Sequence, residues 1–164
     1  MRHNLKIWCL AAAAVLAACG SAPAQFRLDK SEGWKRYDGP SGLVVRYPAG
    51  IFVADAGATE KGAGQKFKSQ DGRYEFAAYS MANADSDTPR SYLQKNLMVP
   101  QATLVYRRAT KKFFVISSIR NERIFYSRCN FADRIHCIYL EYPRADKVAW
   151  DGIVSRVSYS LRPR

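Results

Sequence analysis

The sequence predicts an α+β fold, in which an antiparallel sheet of about six to seven strands carries two packed helices. The first observation is a series of short apolar segments between Tyr106 and Tyr142, separated by polar breaks that are too short to connect anything but antiparallel neighbours. The second is apolar residues at helical spacing in two other segments, which follow Thr88 and Asp146. The third is a pair of cysteines that flank the last break, where a hairpin would place them side by side.

The first residues have the layout of an export signal. A short basic stretch precedes an apolar run from Ile7 to Ala18, and this run of about 12 residues is too short to cross a bilayer as a helix. Leu16-Ala17-Ala18-Cys19 resembles the lipobox of bacterial lipoproteins, where cleavage precedes a cysteine that carries a diacylglycerol. Ala22-Pro23-Ala24 also fits ordinary signal peptidase, so cleavage after Ala24 is the alternative.

These signals divide the chain into three predicted parts. Residues 1–18 are the signal peptide, residues 19–31 are the lipidated Cys19 with a flexible tether, and residues 32–164 form a single α+β domain. Gly20, in place of an aspartate, resembles the pattern of lipoproteins that are sorted to the outer membrane. We therefore expect an exported, periplasmic protein that its lipid holds at the outer membrane, with a soluble periplasmic protein as the alternative.

Cys129 and Cys137 are the two cysteines that are neither removed with the predicted signal peptide nor predicted to carry lipid. In an oxidising compartment they are expected to form a disulfide, with two buried thiols as the alternative. Pairing across a hairpin centred on Asp133 puts Ser127 opposite Tyr139. The same register keeps an apolar set on one face, namely Ile124, Tyr126, Ile138 and Leu140. Burial and the disulfide thus require the same strand pairing.

The strands are predicted from turn signals that separate apolar segments. They are residues 34–37, 43–47, 65–69, 73–80, 103–108, 113–119, 123–129 and 135–142. Asp71-Gly72 is a strong hairpin signal, whereas residues 57–64 contain three glycines and no large apolar residue and are predicted to be a mobile loop. Consecutive apolar residues from Phe113 to Ile116 predict that their strand is the middle of the sheet.

Capping residues and apolar spacing predict the two helices. Thr88 caps the first helix, Pro89 occupies its first position, and the helix ends near Met98. Asp146 caps the second helix, which ends before Pro163. The apolar face of the second helix consists of Trp150, Ile153, Val154, Val157 and Leu161. This face is expected to pack on the sheet.

The net charge of +12 is concentrated in the C-terminal half. Residues 90–164 carry fifteen basic and five acidic side chains, whereas residues 19–89 carry nine of each. The candidate contacts to an anionic partner are Arg107, Arg108, Lys111, Lys112, Arg120, Arg123, Arg128 and Arg134. The expected partners are lipid headgroups, an anionic envelope polymer or an acidic protein, and export argues against nucleic acid. Ordinary solvated turns are the alternative interpretation.

The sequence predicts no catalytic residue, no metal site and no cofactor. His136 with Cys129 and Cys137 matches no common zinc spacing and lacks a fourth ligand, and the cysteines do not form a C-x-x-C redox motif. A hydrolase of envelope polymers would need two carboxylates that converge in a cleft, from among Asp55, Asp71, Glu75 and Glu141. No feature of the sequence selects such a pair, so an enzyme is the less favoured hypothesis.

The order of these parts resembles the PsbP-like family, the extrinsic subunits of photosystem II and their bacterial relatives, many of which are small exported lipoproteins. The matching features are Tyr47-Pro48 at a strand end, Phe52 after it, a hairpin-rich middle, and a closing helix that ends through Ser158-Tyr159-Ser160-Leu161-Arg162. The chain also resembles other exported proteins of Gram-negative bacteria. The PsbP-like resemblance implies a sheet with helices packed on it, and a role in assembly or binding more often than in catalysis. The expected function is a non-catalytic binding or accessory module, lipid-anchored at the periplasmic face of a membrane.

Overall fold

The structure is a computed structural model that describes residues 33–96 and 100–163. The predicted signal peptide, Cys19, the tether and the predicted helix end near Met98 lie outside the described residues. The strands are β1 (Trp34–Asp38), β2 (Leu43–Pro48), β3 (Ala54–Ala58), β4 (Ala63–Lys68), β5 (Glu75–Ala82), β6 (Leu104–Ala109), β7 (Phe113–Arg120), β8 (Arg123–Phe131), β9 (Arg134–Pro143) and β10 (Arg162–Pro163). The helices are α1 (Pro89–Asn96) and α2 (Lys147–Ser160). Within the described ranges, neither helix is long and apolar enough to cross a membrane.

The fold is α+β, as the sequence predicts. Seven strands form one antiparallel sheet in the order β3-β4-β5-β9-β8-β7-β6. A second sheet of three strands, in the order β1-β2-β10, is built on the predicted first hairpin. The pairing of β10 with β2 has no signal in the sequence, because this strand is only the two residues Arg162–Pro163 that follow α2.

The C-terminal meander has the register that the sequence predicts. Cys129 lies directly opposite Cys137, and Ser127 lies opposite Tyr139. The two cysteines form a disulfide and are buried on the sheet face that α1 covers. Alternate residues of the same strands, such as Ile138, are buried in the core on the other face. The disulfide and the burial of apolar residues therefore select one pairing.

The middle strand of the large sheet is β9 and not β7, which corrects the prediction made from Phe113 to Ile116. β7 lies next to the edge strand, whereas β9 has three strands on each side and is buried at successive positions from Ile135 to Ile138. An apolar strand needs cover on both faces. α1 supplies this cover near the edge, since Tyr92 stacks on Phe114 at a centroid distance of 5.9 Å.

Each face of the large sheet has its own core. On one face, α2 and β2 enclose the larger core, where Trp150 stacks on Tyr74 and Tyr142 at centroid distances of 4.6 and 5.1 Å. On the other face, Leu93 of α1 packs over the disulfide in a smaller core. Among the described residues, α1 covers only part of this second face. The uncovered part forms the cleft described below.

Residues 57–64 are not a loop throughout, which corrects the sequence prediction. β3 ends at Ala58 and β4 begins at Ala63, so only the turn between them lacks strand structure. Small residues and glycines have a low strand propensity, but β4 pairs with β5 from Ala63 to Lys68 and with β3 on its other side. Tertiary pairing therefore overrides the local preference.

The two predicted helix caps have different outcomes. Thr88 Oγ1 accepts a hydrogen bond from the Ser91 N–H at 3.1 Å, so the cap of α1 is formed. Asp146 precedes α2 but does not cap it with its side chain, which corrects the prediction. Its Oδ2 accepts hydrogen bonds from the Arg73 guanidinium at 2.9 Å and from the Tyr74 hydroxyl at 2.8 Å. Asp146 thus ties the start of α2 to the end of the β4–β5 turn.

Candidate functional site

A cleft of about 480 Å³ lies on the sheet face that α1 covers only in part. Its floor comes from β5, β9, β8 and β7, and its walls include residues 59–61, Lys66, Asn96 and Thr103. The floor residues are Ala77, Tyr79, Ile116, Ser118, Phe125 and Tyr139. They share one face because paired antiparallel strands present alternate residues on the same side. A cleft of this volume is in the range of small-molecule sites.

Gly64 allows the wall that carries Lys66 to lie close to the floor of the cleft. Gly64 is opposite Tyr79 in the pairing of β4 with β5. A Cβ at position 64 would lie 2.6 Å from the Tyr79 Cα, which is closer than non-bonded carbon atoms approach. Burial raises the pKa of Tyr79 to about 12, so its hydroxyl is neutral at physiological pH. The cleft therefore has an uncharged hydroxyl in its floor.

A chain of polar contacts borders the floor on the side of β9. The Tyr139 hydroxyl donates a hydrogen bond to Glu141 Oε2 at 2.7 Å, and Arg123 forms an ion pair with Glu141 Oε1. Arg123 also donates to the Arg73 carbonyl oxygen at 2.9 Å. Burial, and then the hydrogen bond to Glu141, raise the pKa of Tyr139, while the charge of Arg120 opposes the rise. Tyr139 is thus a neutral donor with a fixed ring.

Two of the four acidic residues that the sequence singled out converge. Glu75 and Glu141 lie directly opposite each other on β5 and β9, whereas Asp55 lies on the outer strand β3 and Asp71 in the β4–β5 turn. Lys68 forms an ion pair with Glu75 at 3.5 Å, so both converging carboxylates have a cation as their neighbour. The two carboxylates therefore face each other across β5 and β9, each beside a cation.

Of the basic residues predicted as partner contacts, two are held by contacts within the fold and a third is half-buried. Arg123 forms the ion pair just described. The Arg128 guanidinium lies 4.3 Å from the centre of the Phe113 ring and donates to Asn130 Oδ1 at 2.9 Å. Arg134 is half-buried at the start of β9, and its Nε has no hydrogen-bond partner among the described residues. These arginines do not form one surface.

The other predicted contacts include a group at the outer edge of the sheet. Arg107 and Arg108 are exposed on the edge strand β6, and Lys111 and Lys112 are exposed in the turn that follows. We name this region the basic edge and define it as Val105, Tyr106, Arg107, Arg108, Lys111 and Lys112. Within residues 33–96 and 100–163, its four cations form no ion pair with a carboxylate. Arg120 is separate from this region and lines the cleft.

His136 does not join the cysteines in a metal site. It follows the strand alternation and lies on the opposite face from Cys137, where its Nδ1 is 3.0 Å from Ser80 Oγ. Burial, and then the positive charge of Arg134, lower the pKa of His136. The described part of the chain contains no group of three or more His, Cys, Asp or Glu residues that could hold a metal ion.

No family model and no curated protein matches the sequence of this chain. The solution structure of cyanobacterial PsbP (CyanoP) from Synechocystis sp. PCC 6803 is similar to it, with a TM-score of 0.57 and 15% sequence identity. The similarity covers 91% of this chain and 99% of that chain. The fold is PsbP-like. At this identity the similarity shows the fold alone and transfers no binding residue.

Sequence reasoning did not find the cleft. Its floor combines Ala77 of β5 with Phe125 of β8, and these strands face a common cleft only because β9 is inserted between them. One usable signal was the alternation in β8, where Phe125 falls on the face opposite to Ile124 and next to Glu141. The extent of the cover by α1 has no comparable signal, so the open part of this face could not be inferred.

Proposed function

We propose that this protein is an exported, lipid-anchored, non-catalytic accessory module, and that its basic edge contacts the anionic headgroups of a membrane. The observation that carries the proposal is the exposure of Arg107, Arg108, Lys111 and Lys112 on one sheet edge, without carboxylate partners in the described residues. Each cation near an anionic surface contributes about 1 kcal/mol of attraction, so the four together contribute about 4 kcal/mol.

Two neighbouring side chains favour lipid headgroups over an acidic protein or a polymer. Val105 is 58% exposed and Tyr106 is 48% exposed, directly before the arginines. A tyrosine and an aliphatic residue beside cations is the composition found where proteins meet the headgroup layer of a membrane.

The proposed location rests on the start of the chain. Leu16-Ala17-Ala18-Cys19 supports lipidation of Cys19, and Gly20 supports sorting to the outer membrane. The disulfide between Cys129 and Cys137 is consistent with folding in an oxidising compartment such as the periplasm. A lipid at Cys19 would keep the basic edge at high local concentration near headgroups. Cleavage after Ala24, which would give a soluble periplasmic protein, is the alternative.

A photo-crosslinking residue tests the contact in the full-length chain. We expect p-benzoylphenylalanine in place of Tyr106 to form adducts with phospholipid in cells of a Gram-negative host. Tyr159 is the matched control position, because it is 81% exposed but lies on α2. Replacement of all four edge cations by Gln should remove most of the lipid adduct at position 106.

A second variant controls for the loss of positive charge in general. It replaces four exposed basic residues elsewhere by Gln, namely Lys35, Arg46, Arg90 and Arg162, and it should keep the lipid adduct. Equal amounts of lipid adduct at positions 106 and 159 would mean that the basic edge makes no specific membrane contact and consists of ordinary solvated residues. A protein or polymer adduct at position 106, in place of lipid, would identify a different anionic partner and refute the membrane contact.

A hydrolase of envelope polymers is the second candidate, because Glu75 and Glu141 converge at the border of the cleft. The cations beside both carboxylates argue against it, as does the hydrogen bond from Tyr139 to Glu141. We expect the purified protein to leave peptidoglycan turbidity unchanged. Clearing that is abolished by both Glu75→Gln and Glu141→Gln would establish the enzyme instead.

A further inference from the structure

We infer that the cleft binds a small organic anion with a flat apolar body, such as an aromatic carboxylate. The proposal goes beyond the membrane contact, because the cleft uses residues that the basic edge does not. It rests on three properties of the cleft: an aromatic floor, cations that are left over after the carboxylates are paired, and a volume of about 480 Å³.

The floor is suited to a flat apolar group. The rings of Phe125 and Tyr139 lie side by side with centroids 6.3 Å apart and an angle of 45° between their planes. Ala77 and Ile116 add aliphatic surface beside these rings. The Tyr139 ring is fixed by its hydrogen bond to Glu141, so an incoming ligand does not have to order it. An aromatic ligand gains both apolar burial and ring contacts on such a floor.

The charges in the cleft leave an excess of cations. The two carboxylates of the lining are matched, since Glu60 is 3.7 Å from Lys66 Nζ and Glu75 is 3.5 Å from Lys68 Nζ. The lining also contains Arg120, which forms no ion pair with a carboxylate among the described residues. A ligand that enters this cleft therefore meets an unmatched positive charge.

Arg120 is placed to bind the charged end of a ligand whose ring lies on the floor. Its guanidinium lies 4.6 Å from the centre of the Phe125 ring, so it is at the margin of the aromatic surface. Ser118 is the next residue on the same face of β7, and its hydroxyl makes no hydrogen bond within the described residues. A planar guanidinium next to a hydroxyl donor matches the two oxygens of a carboxylate.

The size of the cleft limits the ligand. About 480 Å³ accommodates one or two fused rings with a short acidic substituent. Lys61 lies in the wall formed by residues 59–61 and adds a second cation at the rim. This wall is the turn between β3 and β4, and three strands separate β4 from β7, which carries Arg120.

Calorimetric titration of the purified full-length protein with 2-naphthoate tests the proposal. The neutral 2-naphthalenemethanol is the matched ligand, because it has the same rings without the charge. We expect saturable binding of 2-naphthoate and clearly weaker binding of the alcohol. The backbone amide shifts of Phe125 and Tyr139 should move on addition of 2-naphthoate, which would locate the ligand.

Two variants separate the role of the charge from that of the fold. Arg120→Gln should weaken the binding of 2-naphthoate roughly 3- to 10-fold while leaving the alcohol unaffected. Arg90→Gln is the control, because Arg90 is exposed on α1 outside the cleft lining and should change neither ligand. Equal binding of acid and alcohol, or an unchanged affinity in Arg120→Gln, would overturn the proposal. Absence of saturable binding to the unmodified protein would also overturn it, without affecting the membrane contact.

Discussion

Removal of the disulfide tests whether the meander owes its register to burial as well as to the bond between Cys129 and Cys137. The bond joins residues that are eight positions apart. For a loop of this length, the loss of unfolded-state entropy amounts to about 2.5 kcal/mol. The register should survive without the bond, because Ile124 and Ile138 are buried in the opposite core and slippage by one residue would expose them.

The assay is urea unfolding of the wild type and of the double variant Cys129→Ala and Cys137→Ala, each before and after complete reduction in denaturant and refolding. Reduction should lower the free energy of unfolding of the wild type by about 2.5 kcal/mol, and it should not affect the double variant. The cysteines are 2% and 0% exposed, so the double variant also loses some packing in the core under α1. The difference in free energy of unfolding between the double variant and the reduced wild type gives the contribution of this lost packing.

Two results would refute this reasoning. A fall of less than about 0.5 kcal/mol on reduction of the wild type would mean that the bond does not restrict the unfolded chain as the loop length requires. Loss of the Ser127 and Tyr139 pairing in the double variant, seen as missing cross-strand contacts in nuclear magnetic resonance spectra, would mean that burial alone does not set the register.

Three further predictions concern single residues. The lowered pKa of His136 means that the unfolded chain binds a proton at this residue more tightly than the folded chain does. The free energy of unfolding should therefore be highest above about pH 6.5 and should decrease as the pH falls below that value. Urea unfolding between pH 7.5 and 5 should show this decrease, and His136→Gln should make it smaller. Asp146→Ala should lower the free energy of unfolding in urea by about 1 to 2 kcal/mol, because it removes two hydrogen bonds. Asp151→Ala is the control and should lower it by under about 0.5 kcal/mol, because it breaks only an exposed ion pair on α2. Equal losses in the two variants would contradict the role of Asp146. Gly152→Ala should raise the free energy of unfolding by about 1 kcal/mol, because a Cβ at this helical position meets nothing within 4 Å. Gly64→Ala should lower it by about 1 to 3 kcal/mol, because a Cβ there would clash with Tyr79. A change of the same sign in both variants would contradict this account of the two glycines.

The parts of the fold that were predicted are those that short sequence signals specify. Asp71-Gly72 marks a hairpin, Thr88 caps α1, and the two cysteines fix a register that alternation already favours. Each of these signals acts within a few residues along the chain. The turns that join β6, β7, β8 and β9 contain three residues or fewer, so these strands can only be antiparallel neighbours.

The parts that were missed depend on distant residues. β3 and the start of β4 are strands because β5 pairs with β4, although Gly64 and its neighbours have little strand propensity. The apolar run after Phe113 indicated a covered strand but not its position, because α1 supplies the cover that a central position would otherwise give. Asp146 has a cap position by sequence, but Arg73 and Tyr74 compete for its carboxylate.

In the candidate site too, features set by neighbouring residues were predicted and features set by distant residues were missed. The cations of the basic edge were identified from sequence because they lie as two pairs on either side of one turn, Arg107-Arg108 and Lys111-Lys112. Arg123, Arg128 and Arg134 were grouped with them, although contacts within the fold hold Arg123 and Arg128 elsewhere and Arg134 is half-buried at the start of β9. Spacing in a sequence does not show which charges meet a partner inside the fold, so these groups separated only in the structure.

The mass of the mature protein, purified from the membrane fraction, tests the central claim most directly. The proposed function requires a membrane anchor, and the lipobox predicts that the mature chain begins at Cys19 and carries the added mass of a diacylglycerol with a further acyl chain. An unmodified chain that begins at Gln25 would contradict the anchor, and with it the proposal that this domain acts at a membrane surface.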